Sequence, residues 1–210
     1  VNPTQFDEAH DFERYPRVLE EDAAKCEAAG ASAVVAPTVD MVYPDGLDAP
    51  PPPVPDVAQD KGLEDRFRPG HFVGVTKVLA RLFALTRPAA SVFGEKDWQQ
   101  LQLARALVKQ EGLPIDIIPG PTVRDQDGLA LSSRNQLLSE EQRRKALCLN
   151  RALRRVHFLV KKQGILHTGE LLQAMRSAVR SAGEGVELDY ARIVSRATLD
   201  DLDLVERGNT

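Results

Sequence analysis

Helical spacing and short apolar runs alternate along this chain. Leu19, Ala23 and Cys26 share a helical face that stops at Gly30, a glycine placed to close a helix. Ser32-Ala-Val-Val-Ala36 then reads as a short buried strand closed by Pro37. Apolar residues at 75, 78, 79, 82, 83 and 85 predict a second helix, ended by Arg87-Pro88. A short apolar run reaches Gly94, and a helix over about 98–110 follows, with Gly112 behind it. Ile115 to Ile118 is another strand, ended by Pro119-Gly-Pro121, and Thr122-Val-Arg124 continues extended. Helix and strand in repeated alternation argue for a parallel sheet.

Past residue 125 the pattern changes. Ser139-Glu-Glu-Gln142 is a capping box, and the helix it opens should run to about Lys162. Leu149, Leu153, Val156 and Val160 would form its apolar side, opposite a basic side taken as a solvated face. Thr168 should cap a further helix to about Ser181, and Leu188 to Val194 alternates like a strand. The expectation is an α/β unit over residues 1–122 and a smaller α+β unit over 123–210.

The connecting segments are distinctive. Val1 to Phe6 reads as a strand end and loop, and Tyr15-Pro16 bars easy helix continuation. Five prolines between Asp48 and Asp56 make a stiff, extended surface loop. Arg66 to Phe72 is a compact basic and aromatic turn.

Composition narrows the function classes. With 210 residues there is enough chain for one or two domains with a real core. A net charge of -4 argues against a nucleic-acid binder held by bulk charge, including one built on the basic helix. Cys26 and Cys148 lie far apart in helical patterns, which suits buried thiols in a reducing cytoplasm better than a disulfide or metal pair. No apolar run approaches the ~20 residues of a membrane span. The opening Val-Asn-Pro lacks the basic and apolar regions of a secretory leader.

Three constellations could carry chemistry. The first is Gly94-Glu95-Lys96-Asp97 with Gln100, where a strand turns into a helix. In open α/β folds ligands sit at that corner, and backbone N–H groups and the helix dipole receive phosphate. Lys96 adds a mobile positive charge. The same spacing also suits Asp97 as a simple N-cap with Gln100 as its capping-box partner, and the two readings are compatible. The second is Leu131-Ser132-Ser133-Arg134-Asn135, whose hydroxyls and guanidinium suit a polyphosphate clamp as well as an ordinary polar turn. The third is Asn2 with Gln5, whose amides could orient a small polar substrate or merely build a turn. His10, His71, His157 and His167 show no metal-ligand spacing, and His71 could line a site or pack in its turn.

Five motifs in order carry a resemblance. Val1-Asn-Pro-Thr-Gln-Phe6, Arg14-Tyr-Pro-Arg17, Arg68-Pro-Gly-His-Phe72, Phe93-Gly-Glu-Lys-Asp-Trp-Gln-Gln-Leu101 and Asp127-Gly-Leu-Ala-Leu-Ser-Ser-Arg-Asn135 resemble the motifs of the pantoate–β-alanine ligase family. The resemblance implies a Rossmann-like parallel sheet of the nucleotidyltransferase superfamily, closed over by a smaller C-terminal α+β lid. It implies ATP with Mg2+, a pantoyl-adenylate intermediate released to β-alanine with AMP and pyrophosphate as by-products, and a homodimer. Gly94, Glu95, Lys96 and Asp97 would hold the nucleotide, with Lys96 on its phosphates. Val123 would line the adenine side, and Leu131, Ser132, Ser133 and Arg134 would be the mobile phosphate-binding signature. Gln5 and Gln100 would hold pantoate, with Gln5 also near β-alanine and Asn2 beside it; Lys96 and Arg134 would be catalytic. The family carries a strand and a His-x-x-His loop ahead of the Val-Asn-Pro segment, and a last strand after residue 210. The expectation is therefore a shortened chain without full activity, and an alternative is a fragment that only binds nucleotide or oligomerises.

Overall fold

The computed structural model describes residues 1–5 and 9–206, without the side chains of residues 9–11. Phe6 and residues 207–210 therefore lie outside the described residues, as does the His10 side chain. Helices α1 (Ala9–Arg14) and α2 (Leu19–Ala28) come first, and α2 gives way to Gly30 at φ 88°. The short helices α3 (Val39–Val42) and α4 (Glu64–Phe67) flank the proline loop. Then follow α5 (His71–Thr86), β1 (Ala90–Gly94), α6 (Trp98–Gln110) and β2 (Asp116–Gly120). Helices α7 (Glu140–Phe158) and α8 (Thr168–Arg180) close the order, with α7 prolonged by a π-helical turn over Leu159–Gln163.

This is an α/β arrangement on a parallel pair. β1 and β2 run in register from Ala90↔Asp116 to Gly94↔Gly120, so both strands end on glycine at the same level. Helix α6 is the crossover between them. One face of the pair packs Phe93 and Ile117 against Val75, Leu79 and Phe83 of α5 and Leu103, Ala104 and Leu107 of α6. On the other face Val92 and Ile118 are exposed. The prolines keep residues 50–55 out of helix and strand, and Val54 and Ala58 nonetheless reach the α5/α6 core.

Helices α7 and α8 build two further clusters. Cys148 and Ala152 meet Val179, and Leu159 and Val160 meet Leu171. The predicted capping box is present in full: Ser139 Oγ accepts from the Gln142 N–H at 3.2 Å, and Gln142 Oε1 accepts from the Ser139 N–H at 2.8 Å.

Several expectations need correction. Residues 3–5 form a single 3-10 turn: Asn2 Oδ1 accepts from the Thr4 N–H, and the Thr4 hydroxyl donates to the Gly74 carbonyl of α5. Ser32 to Ala36 makes no ladder, and Val34 and Val35 are exposed. An apolar run becomes a strand only beside a partner. Leu188 to Val194 is likewise no strand; it contributes the isolated bridge Val194↔Asp201, and Arg124↔Ala130 is similarly isolated. Thr168 is not a cap: its hydroxyl donates to the Leu202 carbonyl at 2.6 Å, which pins α8 to the chain's last described segment. Leu149 and Leu153 are exposed, because the inner face of α7 runs through Cys148 and Ala152, one residue round the helix. His10 is within α1, and His71 opens α5.

Candidate functional site

The strand-to-helix corner forms as expected, with one difference. After Gly94 the chain makes a 3-10 turn over Glu95–Asp97 and enters α6. Asp97 occupies the N-cap position but its side chain makes no capping bond, so the capping box with Gln100 does not form. Its carboxylate instead meets the Lys96 ammonium at 3.3 Å, with both groups largely in solvent. The helix N-terminus thus keeps backbone donors without a side-chain cap, as a phosphate site requires. Gly94 has ordinary extended geometry, and no atom lies within 4 Å of where a Cβ would stand.

Two neighbouring glutamines divide the work on α6. Gln100 points into a cavity of about 510 Å³. Gln99, one helical step round, also borders it but is buried: it accepts from the Glu64 N–H at 3.1 Å and donates to Asp65 Oδ1 at 3.2 Å. Asp65 also accepts from the N–H groups of Lys61, Gly62 and Leu63 at 2.9, 3.1 and 3.0 Å. Burial opposes its charge, yet the hydrogen bonds from Gln99 and these backbone groups hold its carboxyl below the usual range. Its contribution to stability is present in full above the unfolded value near ~4 and is lost as pH falls through the lower folded value. Asp65→Asn should therefore lower the unfolding midpoint at neutral pH, with the gap to the parent protein closing below about pH 4 in thermal melts across pH.

A second wall comes from the turn at residues 3–5. Gln5 lines the cavity, and its backbone carbonyl accepts from His71 Nδ1 at 2.9 Å and Arg68 Nη2 at 3.2 Å. That carbonyl can only accept, so His71 carries its proton on Nδ1. His71 both packs and lines: it is 7% exposed and borders the cavity. Asn2 does not border it; its amide supports Gln5 from behind, donating to Gln5 Oε1 at 3.0 Å.

The third wall belongs to the second half of the chain. Arg134 reaches the cavity with its guanidinium 5.1 Å from the Tyr15 ring centroid. The loop carrying it is braced by Arg143, which bonds Asp125 Oδ2 at 2.6 Å and Asp127 Oδ2 at 2.8 Å, while Arg144, Arg151, Arg154 and Arg155 are exposed as a solvated face should be. Hydrogen bonds to Asp125 and then Asp127 raise the Arg143 pKa. Within the loop, Ser132 Oγ accepts from the Arg134 N–H at 3.3 Å. Ser133, Leu131 and Val123 are exposed outside the cavity, and Val123 and Leu131 are joined by a backbone hydrogen bond of 3.0 Å.

Sequence reading missed Tyr190, Arg192 and Leu199, which complete this wall. The Tyr190 hydroxyl donates to Glu64 Oε1 at 2.9 Å; burial and then the Glu64 carboxylate push its pKa up. Arg192 pairs with Asp201 within the second half, while Lys61 reaches Asp200 at 2.7 Å and, with the Tyr190–Glu64 bond, ties the two halves together. Leu199 is 1% exposed and holds φ 60°, a left-handed conformation costly for a leucine. The one available sequence signal was Tyr190, an aromatic amid polar neighbours.

The cavity thus brings together Gln5, Lys96, Asp97, Gln100 and Arg134, whereas Asn2, Gly94, Glu95, Val123, Leu131, Ser132 and Ser133 do not line it. Arg68, Lys96, Arg134 and Arg192 share its lining with the carboxamides of Gln5, Gln99 and Gln100, in a space of ligand size. Among the described residues no helix is long and apolar enough to cross a membrane.

Known proteins resemble this chain in sequence and fold. A family model described as pantoate-beta-alanine ligase matches residues 1–209. The pantothenate synthetase of Nocardioides sp. is 45% identical over 206 residues, which cover 98% of this chain and 59% of that protein. That of Myxococcus xanthus is 44% identical over 209 residues, covering 99% and 70%. Among solved structures, Thermus thermophilus pantothenate synthetase superposes with a TM-score of 0.90 at 42% identity, covering 99% of this chain and 73% of that one. A Francisella tularensis pantoate-beta-alanine ligase, solved with beta-gamma ATP and beta-alanine, matches with a TM-score of 0.64 at 31% identity. The chain therefore spans between 59% and 73% of the length of these first relatives. With a match along almost its whole length and the ordered motifs folded round one cavity, the chain belongs to the pantoate–β-alanine ligase family.

Proposed function

We propose that this chain serves the ATP-dependent joining of pantoate and β-alanine to give pantothenate, through a pantoyl adenylate, with release of AMP and pyrophosphate. The observation that carries the reading is the single cavity of about 510 Å³ onto which Gln5, Gln100, Lys96 and Arg134 all open. The ATP and beta-alanine bound to the Francisella relative support the choice of ligands.

The chemistry suits these side chains. In the first step a pantoate carboxylate oxygen attacks the α-phosphorus and pyrophosphate leaves, which needs alignment and charge neutralisation more than a strong base. Gln5 and Gln100 orient pantoate. Lys96 and Arg134 meet the phosphate charge from opposite walls, and the uncapped α6 N-terminus receives phosphate oxygens together with the Gly94–Asp97 turn. Ser132 and Ser133 bring hydroxyl donors with Arg134, and the exposed pair Val123 and Leu131 offers an apolar shelf for the base. In the second step the neutral amine of β-alanine attacks the acyl carbon and AMP leaves. The 123–210 part acts as a lid that keeps water from the acyl adenylate.

Among the described residues no three His, Cys, Asp or Glu come together as a metal site. Asp97 lines the cavity beside Lys96 and would be the carboxylate at hand for a Mg2+ carried in on the phosphates. When bound, the ion would supply further neutralisation of phosphate charge. The reading carries with it a homodimer and a cytoplasmic location.

Pantoate-dependent exchange of labelled pyrophosphate into ATP tests the proposal. Exchange that needs pantoate, and pantothenate formation on adding β-alanine, are the expected results. Tight ATP binding by calorimetry without any exchange would instead favour a nucleotide-binding role and overturn it.

A further inference from the structure

The polarity of the Gln5 amide is set from outside the cavity. The Thr4 backbone N–H can only donate, and it meets Asn2 Oδ1 at 3.3 Å. The Tyr43 hydroxyl donates to that same oxygen at 2.6 Å. With Oδ1 thus fixed as the acceptor, the other atom of the Asn2 amide is the donor nitrogen, and it meets Gln5 at 3.0 Å. The Gln5 atom facing it must then be Oε1, which leaves Gln5 Nε2 as the free end of the amide. Among the described residues Nε2 has no protein partner, and Gln5 borders the cavity.

Tyr43 is well placed to hold this order. It is 6% exposed, and burial raises its pKa against the hydrogen bonds of Thr4 and Asn2, so the hydroxyl stays protonated at neutral pH. Lys77 sits with its ammonium 5.4 Å from the ring centroid and donates to the Leu47 carbonyl, which fixes the ring from its face. Thr4 Oγ1 lies 3.1 Å from the Tyr43 hydroxyl and 3.1 Å from Asn2 Oδ1. Tyr43 itself does not border the ligand cavity.

We propose that Tyr43 is a positioning residue: acting through Asn2, it turns the Gln5 amide so that two N–H donors face the cavity and select a ligand that presents acceptor oxygens there. On the ligase reading, on which this rests, the ligand so selected is the hydroxy-acid carboxylate substrate and not the nucleotide. Tyr43→Phe removes the shortest of the bonds that orient Asn2. Asn2→Asp removes the donor that holds Gln5 Oε1 and leaves the amide free to reverse.

Steady-state kinetics on the protein should show the pantoate KM rising about tenfold in Tyr43→Phe and further in Asn2→Asp, with the KM for ATP within about twofold of the parent value. An unchanged pantoate KM in Tyr43→Phe, or equal losses for both substrates, would overturn the proposal in favour of a purely structural tyrosine. Side-chain amide exchange by NMR supplies a readout independent of turnover. The Asn2 Nδ2 protons should be protected in the parent protein and exchange faster in Tyr43→Phe; equal protection in both sinks the relay. An absence of pantoate-dependent exchange in the parent protein counts against the ligase reading, while the amide readout still decides the relay.

Discussion

Gly74→Ala is expected to unfold more readily by about 3 kcal/mol or more and to lose the site together with the stability. Inside a helix the same exchange normally helps, by roughly 0.5–1 kcal/mol, since alanine restricts the unfolded chain and glycine does not. Here the sign reverses. A Cβ on Gly74 would stand 1.9 Å from the Thr4 carbonyl oxygen and 2.4 Å from its carbon. Both are backbone atoms and cannot rotate away. Either α5 retreats from its core contacts through Phe72, Val75 and Leu79, or the 3–5 turn lifts off the helix. The second course moves Gln5 and breaks its carbonyl bonds to His71 and Arg68. Gly169 in α8 is the control, because a Cβ there meets nothing within 4 Å. Urea unfolding of the two variants should give opposite signs, and ligand binding should fail in Gly74→Ala alone. A Gly74→Ala protein as stable as its parent would show that the turn and α5 do not pack as described.

What could be read from the sequence follows from how local each signal is. The corner at Gly94 was legible because a strand, a glycine and a helix follow one another within a dozen residues, and β1, its 3-10 turn and α6 form there. The Ser139 box was legible for the same reason. Strands are another matter. Ser32 to Ala36 has the composition of one but no described neighbour to pair with, and composition does not report neighbours. Gln99 and Gln100 are alike in sequence and both border the cavity, and only the turn of α6 buries Gln99 against Asp65. Tyr190 meets Glu64 across 126 residues of chain, a contact with no local trace. Asn2 suits both orienting a substrate and building a turn, and local sequence does not show that its amide donates to Gln5 Oε1.

Lys96→Ala should lower the rate of pantoate-dependent pyrophosphate exchange on the order of 10²-fold or more while leaving stability nearly unchanged. The two halves of that expectation come from the same observation. The described partner of the Lys96 ammonium is Asp97 at 3.3 Å, and the two side chains are 40% and 63% exposed. An exposed pair of this kind is worth little to folding, so removing it should leave the melting curve in place. For the reaction the same exposure is an asset, because the ammonium can leave a surface carboxylate for a polyphosphate without breaking any buried contact. It stands at the α6 N-terminus in the same cavity as Arg134, and the proposed reaction assigns it the charge that grows as pyrophosphate departs. A charge that acts mainly on the departing group changes kcat more than KM. The loss should therefore fall on kcat, with the pantoate KM little altered because Gln5 and Gln100 remain. Lys96→Arg should recover only part of the rate, since a planar fork replaces a compact point charge. A Lys96→Ala protein that exchanges pyrophosphate at the parent rate would remove Lys96 from the phosphate site and leave Arg134 and the helix terminus as its cationic side.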